Sequence, residues 1–253
     1  MKKNAQELII FEDDSVVAVN KPAGLLTLPD RYRRELPNVR AILEAHYGSI
    51  FTVHRLDTDT SGILLFARDA EAHRNLSMQF EQHTPEKVYQ AVVAGIVEQD
   101  EFEIDIPLAP DERKPGLTRP SARGKESLTV VNVVERYRMA SYVECRPKTG
   151  RHHQIRAHLA AVGHPLLVDP DYGRLAEFML STIKRRYKVS KGATERPLIA
   201  RTTLHAASLT VAHPVTGEPL SIIAPLPKDI SAVLQVLRKY ASYVPIETYD
   251  FVW

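Results

Sequence analysis

His54-Arg55-Leu56-Asp57-Thr58-Asp59-Thr60-Ser61-Gly62 runs without a break into Ile63-Leu64-Leu65-Phe66-Ala67. A short apolar run of this kind reads as a buried strand, so the polar stretch before it is the loop that delivers side chains to that strand's edge. Loops held by a scaffold are where chemistry sits. Here an Asp follows an Arg, and small hydroxyl residues with a Gly let the backbone approach a ligand closely. The plainer reading is a tight polar turn whose Asp and Thr side chains bond their own backbone. A calcium loop is rejected. Asp57, Asp59, Ser61 and Gly62 match its positions 1, 3, 5 and 6, but position 12 is Arg68, a cation where a bidentate Glu is needed.

Working outward, 253 residues suffice for one large domain or two small ones, with ordinary apolar and charged fractions. A net charge of +2 does not announce nucleic-acid binding, so any electrostatic footprint must come from local clustering. Cys145 is the single cysteine, which excludes an internal disulfide and suits a reducing cytosol. The N-terminus lacks the apolar core and cleavage site of a signal peptide, and no stretch approaches eighteen apolar residues. The expectation is a soluble, cytoplasmic protein with no membrane partner.

In chain order, 8–11 and 15–19 predict a hairpin, broken by Asn20-Lys21-Pro22-Ala23-Gly24. Residues 37–46 predict a helix begun by Pro37 in its first turn, and Asp69 caps one with apolar positions 72, 76 and 80. Strands are expected at 88–94, 102–106, 128–134 and 141–145, with a mobile loop at 111–125 carrying five Lys or Arg against two acids. The helix after Lys148-Thr149-Gly150-Arg151-His152-His153-Gln154 has 155, 158, 159 and 162 on one face, leaving Arg156 off it. Asp169-Pro170-Asp171-Tyr172-Gly173 is a turn with an aromatic in it. A basic segment follows, with five cations in 184–191; then come a hairpin over 204–223, a helix with Ile230, Val233, Leu234 and Leu237 inward, and an aromatic tail, 245–253, expected to dock on the surface. Strands in hairpins with interspersed helices argue for an α+β fold with a mostly antiparallel sheet in one domain, 1–253.

Asn20-Lys21-Pro22-Ala23-Gly24, His54-Arg55-Leu56-Asp57, Thr60-Ser61-Gly62, Lys87-Val88-Tyr89, Thr149-Gly150-Arg151, His153-Gln154-Ile155-Arg156 and Leu204-His205-Ala206 occur in the order found in RluA-type pseudouridine synthases, and the chain resembles that family over about residues 8–230. The resemblance implies a bisected, mixed sheet with flanking helices and a central cleft in which an RNA uridine becomes pseudouridine. It implies that Asp57 is the catalytic carboxylate, that Tyr89 stacks on the uracil, that Arg156 pairs with Asp57, and that Arg55 helps occupy the gap left by the flipped nucleotide. Lys21, Arg151 and His153 are RNA-contact candidates from the matched motifs, and Lys184, Arg185, Arg186 and Lys188 from the basic segment. His152 before His153, and Val168 where Gly is common, depart from the pattern without touching these roles. No S4-type module is expected.

Isomerisation must break the N-glycosidic bond, turn the uracil and rejoin it through C5. That needs a carboxylate near the sugar and no cofactor or metal; Asp57 as nucleophile and Asp57 as base at the ribose both remain open. An adjacent Arg favours the ionised carboxylate, and its planar fork fixes direction. Singly, Tyr89 is an ordinary strand aromatic and Arg55 an ordinary solvated charge. His152, His153 and His158 lack the spacing of a zinc helix and read as RNA contacts or packing; Cys145 reads as a buried strand residue. The expected partner is structured rRNA or tRNA, with no obligate protein partner evident. A non-catalytic RNA-binding or ribosome-assembly factor is the alternative, opposed by the intact Asp57, Tyr89 and Arg156. A nucleoside glycosidase lacks its second tuned carboxylate.

Overall fold

Alternating apolar residues punctuated by short turns build a sheet first and let the helices cover it. The computed structural model describes residues 4–184, 187–189 and 192–243. Arg185, Arg186 and the tail 245–253 lie outside these residues. In order, the elements are β1 (Ile9–Glu12), β2 (Val16–Lys21), α1 (Val39–Tyr47), β3 (Phe51–Thr52), β4 (Ser61–Ala67), α2 (Ala70–Glu81), β5 (Glu86–Ala94) and β6 (Glu101–Asp105). They continue as β7 (Leu108–Pro110), β8 (Thr118–Pro120), β9 (Leu128–Tyr137), β10 (Ala140–Pro147), α3 (Gln154–Ala161), β11 (Leu204–Ala212), β12 (Pro219–Ile223) and α4 (Lys228–Tyr240).

Among the described residues ten strands form one sheet, in the order β1-β2-β4-β11-β5-β10-β9-β6, with β12 on β11 and β3 on β4. Its pairings are antiparallel except for β4 with β11, where Ser61 and Gly62 lie beside His205 and Ala206. The fold is α+β with a mixed, mostly antiparallel sheet. That short parallel contact is the seam between its halves. Gly62 has φ +116°, and a Cβ on it would sit 2.1 Å from the Ala206 carbonyl oxygen, so only glycine lets the two halves close.

The period of two in each strand sorts its side chains into layers. On the front face α1 packs with Val17, Val19, Leu64 and Phe66, and α3 with Ala91, Val93, Val143 and Cys145; Tyr89 touches both clusters. On the back face α2 covers Val16, Ala18, Ile63 and Leu65, while α4 covers Val92 and Tyr142. The cleft opens on the front, where α1 and α3 leave Tyr89 between them.

Local chemistry explains the boundaries and the departures from expectation. Asp69 accepts from the Ala72 N–H at 2.8 Å and starts α2 as expected. Pro37 lies outside α1: Asn38 is its cap, accepting from the Ala41 N–H at 2.9 Å. The segment 111–125 is no mere loop, because β8 lies within it and pairs with β7 just before it, and a Cβ on Gly124 would meet the Leu108 backbone at 2.5 Å. The one-faced reading of α3 also fails. Gln154 through Leu159 are all buried, since an ion network covers the side opposite its apolar packing.

Candidate active site

Asp57 sits in the loop between β3 and β4, and that loop is tied down residue by residue. Leu56 exchanges hydrogen bonds with the Thr27 hydroxyl, at 2.9 and 3.2 Å. The His54 Nε2 accepts from the Leu65 N–H at 3.0 Å, and its ring stacks on Phe80 with centroids 4.7 Å apart. Protonating that nitrogen would break the bond to Leu65, and burial pushes the imidazole down to about 3, so His54 is neutral. Ser61 Oγ meets His205 Nδ1 at 2.9 Å and closes the loop onto β11.

Lys21 completes the tethering and corrects the expectation that it touches RNA. Its side chain is fully buried, and Nζ donates to the carbonyls of Leu25 and Thr58 at 2.8 Å each and of Pro22 at 3.2 Å. Three donors meet three acceptors, which leaves nothing for a phosphate. Burial lowers its pKa to about 7, with Asp59 and Asp57 opposing the shift.

A cleft of about 460 Å³ brings together Asp57, Tyr89, Arg156, Arg55, Arg151 and His153, all expected from the sequence. Asp57 is a quarter exposed toward it. Tyr89 is half-buried, and its phenol is pushed up by burial first and by the charge of Asp57 second. Lys87, two residues earlier on the same face of β5, also lines the cleft; burial lowers its pKa.

The expected pairing of Arg156 with Asp57 is only its longest contact, 3.8 Å from Nη1 to Oδ2. The bidentate partner is Asp169, which accepts from Nε and Nη2 at 2.7 Å each, and Nη2 also donates to Asp171 at 2.7 Å. Arg156 and Asp169 are 4% and 0% exposed. Burial opposes charge on both, but their mutual hydrogen bonds raise the Arg156 pKa and lower that of Asp169. The Asp169 Oδ1 further accepts from the N–H groups of Asp171 and Tyr172 at 2.9 and 3.1 Å, the side-chain-to-backbone turn favoured by Asp.

His153 lies against both Arg156 and Asp57. It precedes α3 with φ +51°, a left-handed conformation that costs a non-glycine residue about 1 kcal/mol or more. Arg156 Nη1 lies 3.0 Å from its Nε2, and a guanidinium can only donate, so Nε2 accepts and the imidazole is neutral. Burial, against the pull of Asp57, agrees by lowering it to about 4. The 3.6 Å separation from Asp57 is therefore not an ion pair. Asp57, His152 and His153 have ligand atoms within 4.8 Å of one another, a spacing that could hold a metal. The lone pair such an ion would use on His153 already faces the Arg156 cation, so the donor set fits a metal poorly.

The described residues of the basic segment do not line this cleft. Phe178 and Ile183 pack on the back of the sheet with α4, and Lys184 Nζ lies 5.6 Å from the centroid of the Tyr240 ring. Lys188 is exposed and does not line the cleft, while Arg185 and Arg186 fall outside the described residues. Sequence reasoning overlooked Asp169, Asp171 and Tyr172 as parts of the site. The Asp-Pro-Asp-Tyr-Gly turn was the available signal, but nothing local says that its carboxylates turn inward.

One cleft thus holds a carboxylate, an aromatic ring and a fixed guanidinium, with Arg55 and Arg151 also lining it. The RNA pseudouridylate synthase family matches residues 15–161, and the chain belongs to that family. It is 39% identical over 238 residues to ribosomal large subunit pseudouridine synthase D of Neisseria meningitidis serogroup B, covering 91% of this chain and 61% of that protein. It is 37% identical to the dual-specificity RNA pseudouridine synthase RluA of Pasteurella multocida, covering 86% of this chain and 92% of that protein. The chain thus spans about three-fifths of the Neisseria relative. The solved structure of human RNA pseudouridylate synthase domain containing 4 superposes with a TM-score of 0.71 at 26% identity, over 92% of this chain and 95% of that one.

Proposed function

We propose that this chain, acting as one catalytic unit in the cytoplasm, isomerises uridine in structured ribosomal or transfer RNA to pseudouridine. The observation that carries the reading is the meeting of Asp57, Tyr89 and Arg156 in one cleft, from three separate elements. A uridine inside a helix cannot reach Asp57, so it leaves the stack and enters the cleft, where Tyr89 offers its ring to the uracil. Stacking of this kind is worth about 1–3 kcal/mol per base. Arg55 and Arg151 at the rim face the sugar-phosphate backbone. Asp57 then acts at the ribose while the glycosidic bond breaks, and the uracil turns in place and rejoins through C5. No atom is gained or lost, so the protein's task is to hold the detached base and exclude water.

Arg156 supports that task as a fixed positive charge. Because Asp169 and Asp171 hold it from behind, its remaining Nη1 points at Asp57 without binding it tightly, which favours the ionised carboxylate yet leaves its oxygens free to react. The names of the relatives, a ribosomal large subunit pseudouridine synthase and a dual-specificity RNA pseudouridine synthase, support RNA, ribosomal RNA included, as the substrate class. The test is incubation with total RNA from cells lacking the protein, followed by carbodiimide labelling and mapping of stops. New pseudouridine stops with the wild-type chain and none with Asp57→Asn are expected; identical maps for the two would sink the reading.

A further inference from the structure

The turn Asp169-Pro170-Asp171-Tyr172-Gly173 contributes more than carboxylates. The Tyr172 hydroxyl oxygen lies 2.7 Å from the Thr118 backbone nitrogen, which donates to it from the first residue of β8. The same oxygen lies 3.1 Å from His153 Nδ1. Since His153 accepts from Arg156 at Nε2, its ring proton is on Nδ1 and is donated to Tyr172. One phenol oxygen therefore takes two donors, one from β8 and one from the residue before α3. The Tyr172 ring also lies over Arg156, with the guanidinium carbon 4.9 Å from its centroid.

These contacts link three parts of the molecule. Thr118 anchors the β7–β8 hairpin, whose outer segment carries the exposed cations Arg113, Lys114, Arg119, Arg123 and Lys125. Thr118 is itself buried, and its hydroxyl oxygen is 3.3 Å from His152 Nδ1 at the cleft. His153 and Arg156 face Asp57.

We propose that Tyr172 is a positioning residue whose hydroxyl seats the β7–β8 hairpin and anchors the His153 ring, coupling the hairpin to the orientation of Arg156 opposite Asp57. Without the hydroxyl, the Thr118 N–H and the His153 Nδ1–H both lose their acceptor. A buried donor left unpaired is costly, so the hairpin lifts more often. The imidazole keeps its proton on Nδ1, because an N–H at Nε2 would face the Arg156 donor, but the ring is no longer anchored and its contact with Arg156 loosens. The guanidinium keeps Asp169, but the contact that aims Nη1 weakens. In its activity readout the proposal rests on the pseudouridine reading; in its structural readouts it does not.

Nitrogen-15 NMR of the histidine rings and amide hydrogen exchange test it directly, in the absence of RNA. In the wild type, His153 should appear as the neutral tautomer protonated on Nδ1 at pH 7. A ring protonated on Nε2, or on both nitrogens, would overturn the proposal without any variant. In Tyr172→Phe, which keeps the ring over Arg156, the His153 Nδ1–H signal should shift and exchange faster with solvent as its acceptor is lost. The Thr118 amide should exchange about tenfold faster, the effect of one lost acceptor. If Tyr172→Phe folds and both signals match the wild type, the proposal fails. Turnover at saturating RNA should fall about tenfold in the same variant, while Tyr187→Phe, on the back of the sheet, changes neither signal. Absence of turnover in the wild type would count against the pseudouridine reading alone, since tautomer and exchange are read without substrate.

Discussion

Arg156 has a carboxylate on either side, and the two are held in opposite ways. Asp169 is fully buried, takes both prongs of the guanidinium at 2.7 Å and accepts two backbone N–H groups besides. Asp57 is a quarter exposed, stands 3.8 Å away, and belongs to a loop fixed by neutral His54 and by the backbone carbonyls that Lys21 gathers. A saturated carboxylate is a strut; an unsaturated one at a cleft is available for chemistry. The difference assigns charge pairing to the side that must not move and weaker, longer contact to the side that must react.

The largest effect expected from breaking this contrast is on the reactive side. Asp57→Asn should reduce pseudouridine formation to background, because an amide can neither attack the sugar nor take a proton from it. Its thermal midpoint and RNA affinity should stay close to wild type, since no close ion pair is lost; a collapse in stability would show that Asp57 is itself a strut. Asp169→Asn should behave in reverse. Removing the buried partner leaves Arg156 with only the partly exposed Asp171 and the more distant Asp57 as counter-charges, at a cost of up to roughly 3–5 kcal/mol read from denaturant midpoints, and activity should fall as the guanidinium loses its aim. The Asp169 contribution has a definite pH sign. Its folded pKa is below the ordinary value, so that stability is present above about pH 4 and is lost as pH falls through the lower folded value.

The next effect separates the neutral anchors from the charged ones. The folded pKa of His54, about 3, lies below the ordinary 6.5, so between these values the unfolded chain binds a proton that the folded one refuses. Stability is therefore full above about pH 6.5 and declines as pH drops toward 3, at about 1.4 kcal/mol per pH unit. Equilibrium unfolding of His54→Gln between pH 6 and pH 4 should show a slope shallower than wild type by about that amount. An unchanged slope would mean that His54 carries its charge in the folded protein and that the loop of Asp57 is held by charge after all.

The same contrast explains what the sequence discloses. The loop of Asp57 is legible because its chemistry is local: a polar run breaking into a buried strand, with hydroxyls and a glycine at its end. The α4 helix is legible from the spacing of Ile230, Val233, Leu234 and Leu237, all buried. Asp169 is hidden because its partner is thirteen residues away across a turn, and only the packing of α3 brings them face to face. Lys21 misleads for a related reason. A lysine is almost never fully buried unless paired, and its three backbone acceptors come from loops whose approach no local pattern encodes. The segment 111–125 reads as a loop from its glycines and prolines, while the first residue of the strand inside it donates to Tyr172, far along the chain.

The basic run at 184–191 was the most conspicuous charge cluster in the sequence, and it yields the smallest effect expected. Lys184 lies near Tyr187 and Tyr240 on the back of the sheet, and Lys188 is exposed away from the cleft-lining residues, whereas Arg55 and Arg151 stand at the cleft itself. For flexible RNA, each phosphate neutralised contributes about −0.7 to the slope of log affinity against log salt. Replacing Arg55 and Arg151 together by Ala should then flatten the slope by about 1.4, if both touch phosphate. Replacing Lys184 and Lys188 together by Ala should leave it where it was, because neither lines the cleft and exposed charges more than about 8 Å from a phosphate are largely screened at physiological salt. Filter-binding titrations with one RNA over a range of salt concentrations measure both pairs. A flattened slope in the lysine pair would mean that the RNA wraps round to the back, and that the front cleft is only part of its binding surface.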